Sequence, residues 1–119
     1  MSNGHNDWNV SYVYIVWLEN LLNSHSNIRN VTRTNDIYFK VERINQNDTI
    51  TILCLNEYSM GVTMVQRAIS GFSPLNIIYV GGNWNNYTSE AYEYCSENSM
   101  GICNSTGILR MLWKYKLSE

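Results

Sequence analysis

Few side chains in this sequence stand at spacings that chemistry uses. Cys54 and His25 are the available nucleophile and base, because a thiol needs a nearby base or cation to ionise near neutrality. No spacing brings them together, and Cys54 lies in an apolar run that suits a buried free thiol. Gly81-Gly82-Asn83 is similar to half of a phosphate-binding loop, but no Gly-Lys-Ser/Thr ending follows, so a strand-to-helix turn is expected. Arg29, Arg33, Lys40 and Arg43 form the densest basic cluster and are the candidates for contact with nucleic acid. Glu90, Glu93 and Glu97 recur at helical spacing as an acidic row for a basic protein partner, with Trp84 and Tyr87 nearby as aromatic anchors. Both charge clusters have a plainer reading as solvated faces.

The elements that must position these groups follow from periodicity. Residues 11–24 carry Tyr14, Trp17, Leu18, Leu21 and Leu22 at three-four spacing, which predicts a first helix with that stripe buried. Residues 28–33 are a short strand. Residues 36–43 alternate, with Ile37, Phe39 and Val41 on one face and Asp36, Tyr38, Lys40 and Glu42 on the other. A polar turn of residues 45–48 leads into a strand over 49–55, apolar on both sides toward its end as a central strand is. A helix over 62–72 stops at Gly71 and Pro74. Then come a strand over 75–80, a helix over 88–98, and a strand over 100–103. Asn104 or Ser105 caps a last helix reaching about residue 115, with Ile108, Leu109, Met111 and Leu112 toward the core. The order is α-β-β-β-α-β-α-β-α. A tight early turn implies antiparallel pairing and the later alternation implies parallel crossovers, so the fold class is α/β with a mixed central sheet flanked by helices.

Size and composition bound what such a fold can do. The 119 residues make one domain, here residues 11–119 behind a polar segment 1–10 that is apolar only around Trp8. Hydrophobic residues are 45% of the chain, enough for a core without metal or disulfide support. The net charge is −2 with lysine only at positions 40, 114 and 116, which argues against strong duplex binding, because that works by displacing counterions from phosphates. Cys54, Cys95 and Cys103 are odd in number and lack metal-finger spacing. No signal-peptide pattern opens the sequence and its first apolar run is too short and polar to span a bilayer, so a reducing, cytoplasmic setting without membrane contact is expected.

From residue 35 to 112 the order of elements resembles the catalytic domain of Mrr-type restriction endonucleases. The resemblance rests on the Asp36-Ile37-Tyr38 strand opening, the apolar strand Ile50-Thr51-Ile52-Leu53-Cys54-Leu55, and the helix start Val62-Thr63-Met64-Val65-Gln66. The 76–80 strand, its Gly/Asn turn, the next helix and the Ile102 strand complete it. It implies a restriction-endonuclease-like core. It also implies a divalent-metal site in which a strand Asp and a Gln or Glu hold the ion and a Lys polarises the attacking water. Asp36 matches that Asp. Leu53 stands where the Gln or Glu belongs, and Leu55 stands where the Lys belongs. Lys40 and Glu57 are the groups left that a rearranged site would draw on, although Lys40 lies about 13 Å along its strand from Asp36.

The sequence therefore predicts a catalytically inactive nuclease-like protein that acts as a protein-binding module. An immunity or inhibitor protein of a toxin, an anti-defence factor and a non-catalytic subunit are the settings that fit. The partner would be a protein such as a nuclease toxin or a defence component. No cofactor is expected. The alternatives are a metal-dependent DNA endonuclease with a rearranged site, which would need Mg²⁺, and a non-cutting DNA-binding module using the basic cluster.

Overall fold

Alternation of apolar residues sets the first half of the sheet. In the computed structural model, which describes residues 8–118, β1 (Ile28–Thr34), β2 (Tyr38–Arg43) and β3 (Asp48–Cys54) form an antiparallel meander. The β1–β2 turn places Asn35 and Asp36 at positive φ, 49° and 65°, a conformation that short Asx side chains tolerate better than most. Helix α1 (Tyr12–Ser24) precedes the meander. The chain then alternates through α2 (Val62–Gly71), β5 (Ile77–Tyr79), α3 (Ser89–Glu97), β7 (Gly101–Cys103) and α4 (Ile108–Met111). Strands β3, β5 and β7 run parallel, and the sheet order is β1-β2-β3-β5-β7. The expected mixed sheet flanked by helices is present. Two further strands, β4 (Ser59–Met60) and β6 (Asn86–Tyr87), pair in a small separate sheet that the sequence pattern does not disclose.

Neighbours across a ladder share a face, so the register assigns each strand residue to a layer. Phe39, Ile52, Ile77 and Gly101 fall on one face together with Cys54, Tyr79 and Cys103. Helices α1 and α4 cover that face: the Cys54 thiol reaches the Tyr14 carbonyl at 3.9 Å, and the Trp17 ring lies parallel to Tyr79. A Cβ on Gly101 would come within 2.7 Å of the Leu117 backbone carbonyl, so only glycine lets the segment after α4 pack this close. Tyr38, Leu53, Ile78 and Ile102 fall on the opposite face, where Tyr38 packs on Phe72 just beyond α2, and α3 lies beside α2.

Three expectations are corrected. The buried stripe of α1 is Ile15, Leu18 and Leu22, whereas Tyr14 and Trp17 are 41% and 46% exposed. The helix is rotated about one position because the aliphatic residues fill the space over the meander, leaving the bulky rings at the flank toward Tyr79. Helix α4 ends at Met111 instead of reaching residue 115. Beyond it the carbonyls accept from side chains: Leu112 from Asn27 and Arg43, Trp113 from Gln46, and Lys114 from Arg43. With only one turn of helix there, Leu109 points outward and is exposed. The core also takes in Trp8 and Val10, and Arg67 lies over the Trp8 ring at 4.0 Å. Residues 1–7 of the expected polar segment lie outside the described residues.

Arg43 is 1% exposed and ends the inward-facing row of β2. A guanidinium is costly to desolvate unless every donor direction is used. Its Nε and Nη2 donate to the two Asp48 carboxylate oxygens at 2.9 and 2.8 Å, and Nη1 donates to the Leu112 and Lys114 carbonyls. Asn27, also buried, donates to Leu112 O and Gln46 Oε1 and accepts from Asn45 N. Together they tie the β2–β3 hairpin to the segment after α4. Arg43→Ala is expected to lower the unfolding free energy by about 3 kcal/mol, because it empties a buried site, strands the Lys114 carbonyl and removes the partner of Asp48. Arg43→Lys should recover little, since an ammonium cannot reproduce the fork. Urea titration of the three proteins checks this, and a loss below about 1 kcal/mol for Arg43→Ala contradicts the buried-knot account.

Candidate functional site

The positions to which the nuclease resemblance points are sealed or already occupied. Leu53 and Leu55 are 0% exposed. Leu53 lies opposite Tyr38, on the α2 side of the sheet. Asp36 does not open β2: it sits in the β1–β2 turn, and its carboxylate is drawn to Arg33. Arg33 stands opposite Phe39, on the face that α1 covers. Its Nη1 donates to Asp36 Oδ1 and to the Asp36 carbonyl, both at 3.3 Å, while its Nε donates to Glu19 Oε2 at 3.2 Å. Asp36 Oδ2 is buried without a hydrogen-bond partner. One orphaned oxygen beside a guanidinium is a poor cation site, because an ion there would meet the Arg33 charge at contact range. Leu53 and Leu55 add no donor. Among the described residues no group of three or more His, Cys, Asp or Glu side chains is placed to hold a metal. The residues present do not fit the Mg²⁺ that a nuclease site would carry.

The groups named for a rearranged site are not gathered. Lys40 is exposed on β2 between Thr32 and Thr51, on the face opposite the Arg33–Asp36 pair. Glu57 follows the carboxyl end of β3, where burial raises its pKa and the nearby Arg67 charge opposes the shift. The basic cluster is likewise dispersed. Arg43 is buried in its knot, Arg33 bridges Glu19 and Asp36, and Arg29 is 3.5 Å from Glu42. Only Lys40 of the four stands exposed without an ion pair among the described residues. The sequence pattern missed this because proximity along a hairpin says nothing about which face each side chain takes.

His25 and Cys54 are not partners. Cys54 meets the first turn of α1 at Tyr14, whereas His25 caps the opposite end of that helix and packs on Trp113 at 5.3 Å. About 16 Å of helix separates the two ends. Burial lowers the His25 pKa, so it is neutral near pH 7. Desolvation pushes the thiols up, Cys54 and Cys103 to about 12 and Cys95 to about 11, and all three are free.

The acidic row holds together as a surface. Thr88 caps α3 by accepting from Ala91 N, and Ala91 and Cys95 face inward, so Glu90, Glu93 and Glu97 stand exposed on the outer face. No described cation pairs with any of them. Glu97 lies in the last turn of α3, where no basic residue offsets its repulsion from the helix dipole. Trp84 projects from the loop between β5 and β6 with 87% of its surface exposed. Tyr87 is half-buried and stacks on Tyr92 of α3.

The carboxyl ends of the parallel strands form a second concave region. Gly81 turns the chain at φ 93°, where a Cβ would meet Leu55 O at 2.9 Å, so a side chain is excluded on two grounds. Asn85 Nδ2 donates to Asn56 Oδ1 and Val80 O, and Asn104 Nδ2 donates to Asn85 O, locking the three strand-end loops to one another. Between α1 and the turn before α4 lies a cleft of about 210 Å³, lined by Tyr14, Trp17, Tyr79, Gly82, Asn83 and Ser105. Sequence reasoning missed it because Tyr14 and Trp17 share the spacing of a buried stripe.

Comparison with known proteins returns no matching family, no matching curated protein and no matching solved structure.

Two outcomes follow from the sealed face and the buried thiols. Leu53→Gln with Leu55→Lys is expected to cost about 4 kcal/mol or more, because an amide and a charge enter a dry layer. An unchanged urea midpoint would show the face open to water. The thiols remain protonated in the folded chain at pH values where unfolded thiols ionise. Their contribution to stability is therefore complete below about pH 8.5 and is lost progressively as pH rises toward about 12. Urea midpoints should fall over that alkaline range, and replacing Cys54 and Cys103 together by Ala should flatten the fall. An equally steep fall in that variant would assign it to other groups.

Proposed function

We propose that the chain is a non-catalytic protein with a restriction-endonuclease-like core, and that it acts by binding a basic protein partner through Trp84 and the outer face of α3. The pairing order supports the core assignment: a helix, an antiparallel meander, then parallel strands joined by crossover helices. The single observation that carries the functional reading is a contrast. Leu53 and Leu55 are fully buried where nuclease chemistry would need polar groups, while Trp84 is left 87% exposed and the acids of α3 stand exposed without an ion pair among the described residues. An exposed Trp on an anchored loop offers a partner a large apolar contact at small entropic cost, and such residues dominate many interfaces.

The acids set the partner's sign. Glu90, Glu93 and Glu97 span about 10 Å of helix, and cations brought opposite them would also relieve Glu97 at the helix carboxyl end. A nuclease toxin or a nucleic-acid-directed defence component has the basic surface this requires, and an immunity or inhibitor role is the corresponding function. The buried free thiols suit a reducing, cytoplasmic setting. No helix among the described residues is long and apolar enough to cross a membrane.

The test has two arms. With Mg²⁺ or Mn²⁺ the purified protein should leave plasmid and single-stranded DNA intact, and duplex binding at about 0.15 M salt should be weaker than micromolar. Cleavage that disappears with Asp36→Ala would overturn the reading. Affinity capture from the native host should retain a basic protein whose affinity falls about tenfold or more with Trp84→Ala. A triple Glu→Lys change at 90, 93 and 97 should mainly slow association and weaken its salt dependence. If both variants bind the captured protein like wild type, the α3 face is a solvated surface and this assignment fails.

A further inference from the structure

We infer that the cleft between α1 and the strand-end loops is a binding site for a neutral purine nucleoside. The position is one that open α/β sheets use for small ligands, outside the carboxyl ends of parallel strands. Tyr79 of β5 forms its floor, and α1 supplies its wall because that helix covers the meander and leaves the space over β5 open. Trp17 lies parallel to Tyr79 within 8°, with ring centroids 6.1 Å apart, so the two rings present surfaces of one orientation. Trp17 and Tyr14 keep 46% and 41% of their surface exposed, although both are large enough to be buried profitably. A planar ring laid against them would cover apolar area that the fold leaves wet, and bases stack on such aromatic faces.

The opposite wall is polar and uncharged. Ser105 donates its hydroxyl proton to Asn83 Oδ1, which orients the Asn83 amide and leaves its NH₂ without a partner among the described residues. Ser105 also hydrogen-bonds the Tyr79 hydroxyl. The wall thus offers amide donors beside hydroxyl acceptors, the complement of a heteroaromatic edge that carries adjacent ring nitrogens and exocyclic groups. Gly82 contributes backbone with open space where a Cβ would stand, so a ligand can approach it closely. The Gly81 turn and the Asn56–Asn85–Asn104 bonds hold this wall in place before any ligand arrives.

Charge and volume narrow the class. None of the six lining residues is Asp, Glu, Lys, Arg or His, so the cleft has no counter-charge for a phosphate. A volume of about 210 Å³ admits a bicyclic base with part of its sugar and is too small for a dinucleotide. The two exposed rings favour the larger purine over a pyrimidine.

The probes are adenosine, guanosine, uridine and adenosine monophosphate, measured on the full chain by ligand-observed saturation-transfer NMR and calorimetry. At least one purine nucleoside should bind with a dissociation constant below about 1 mM, uridine should be about fivefold or more weaker, and the monophosphate should be no tighter than adenosine. Asn83→Ala, at an exposed position, should weaken the purine nucleoside about fivefold or more, and Trp17→Ala should remove binding. Absence of binding by both purine nucleosides at millimolar concentration overturns the inference. So does binding that survives Asn83→Ala, or a monophosphate that binds more tightly than its nucleoside. If Trp17→Ala fails to fold, the Asn83→Ala and phosphate comparisons decide. None of these readouts depends on the α3 surface, so this site and the partner surface stand or fall separately.

Discussion

Strand β3 is buried without interruption from residue 50 to 55, on both faces of the sheet, and the rest of the molecule is organised around that constraint. A strand in this position must be apolar on every side chain that meets a layer, or must provide a partner for each polar atom it buries. Its one polar inward residue, Thr51, obeys the second rule: its hydroxyl donates to Pro74 O, and its backbone N–H donates to Asn76 Oδ1. Leu53 and Leu55 obey the first. A Gln and a Lys could occupy those positions only if the layer above them were opened to water or a metal, and the Tyr38–Phe72 contact closes it instead. The burial that seals the sheet thus leaves no polar side chain at positions 53 and 55.

Polar bonding is displaced from the middle of the sheet to its corners. At one corner Arg43 and Asn27 hold the hairpin to the segment after α4. At another, Arg33 gathers Glu19 and Asp36, two carboxylates from different elements. At the carboxyl ends of the parallel strands, asparagine amides lock the loops together. These arrangements fix the loops against a rigid core, and fixed loops on a rigid core are where binding groups can be held ready. Trp84 projects from one of these loops, and the Trp17–Ser105 cleft lies between α1 and the turn before α4.

The sequence disclosed the order of elements because strand alternation, turn residues and helix stops are local signals. Ile37, Phe39 and Val41 do face inward, the Gly81 turn is where the composition places it, and the helix expected over 88–98 is α3, Ser89–Glu97. What it did not disclose depends on contacts between distant segments. The rotation of α1, with Ile15 inward and Trp17 at the flank, is set by the shape of the sheet beneath it. The burial of Arg43 needs the Leu112 and Lys114 carbonyls, 69 and 71 residues away in sequence. For the site, the apolar character of positions 53 and 55 was legible from residue type alone. The withdrawal of Asp36 into a turn, and the cleft over Tyr79, required the tertiary arrangement.

The central claim is that the sealed face of β3 binds no divalent metal. Backbone NMR spectra of the uniformly labelled protein titrated with Mn²⁺ test it directly, because a bound paramagnetic ion broadens the amides around it. The account predicts no preferential broadening at Asp36, Ile37, Leu53, Cys54 and Leu55 at substoichiometric Mn²⁺. Localised, saturable broadening of those amides that is abolished by Asp36→Asn would contradict it.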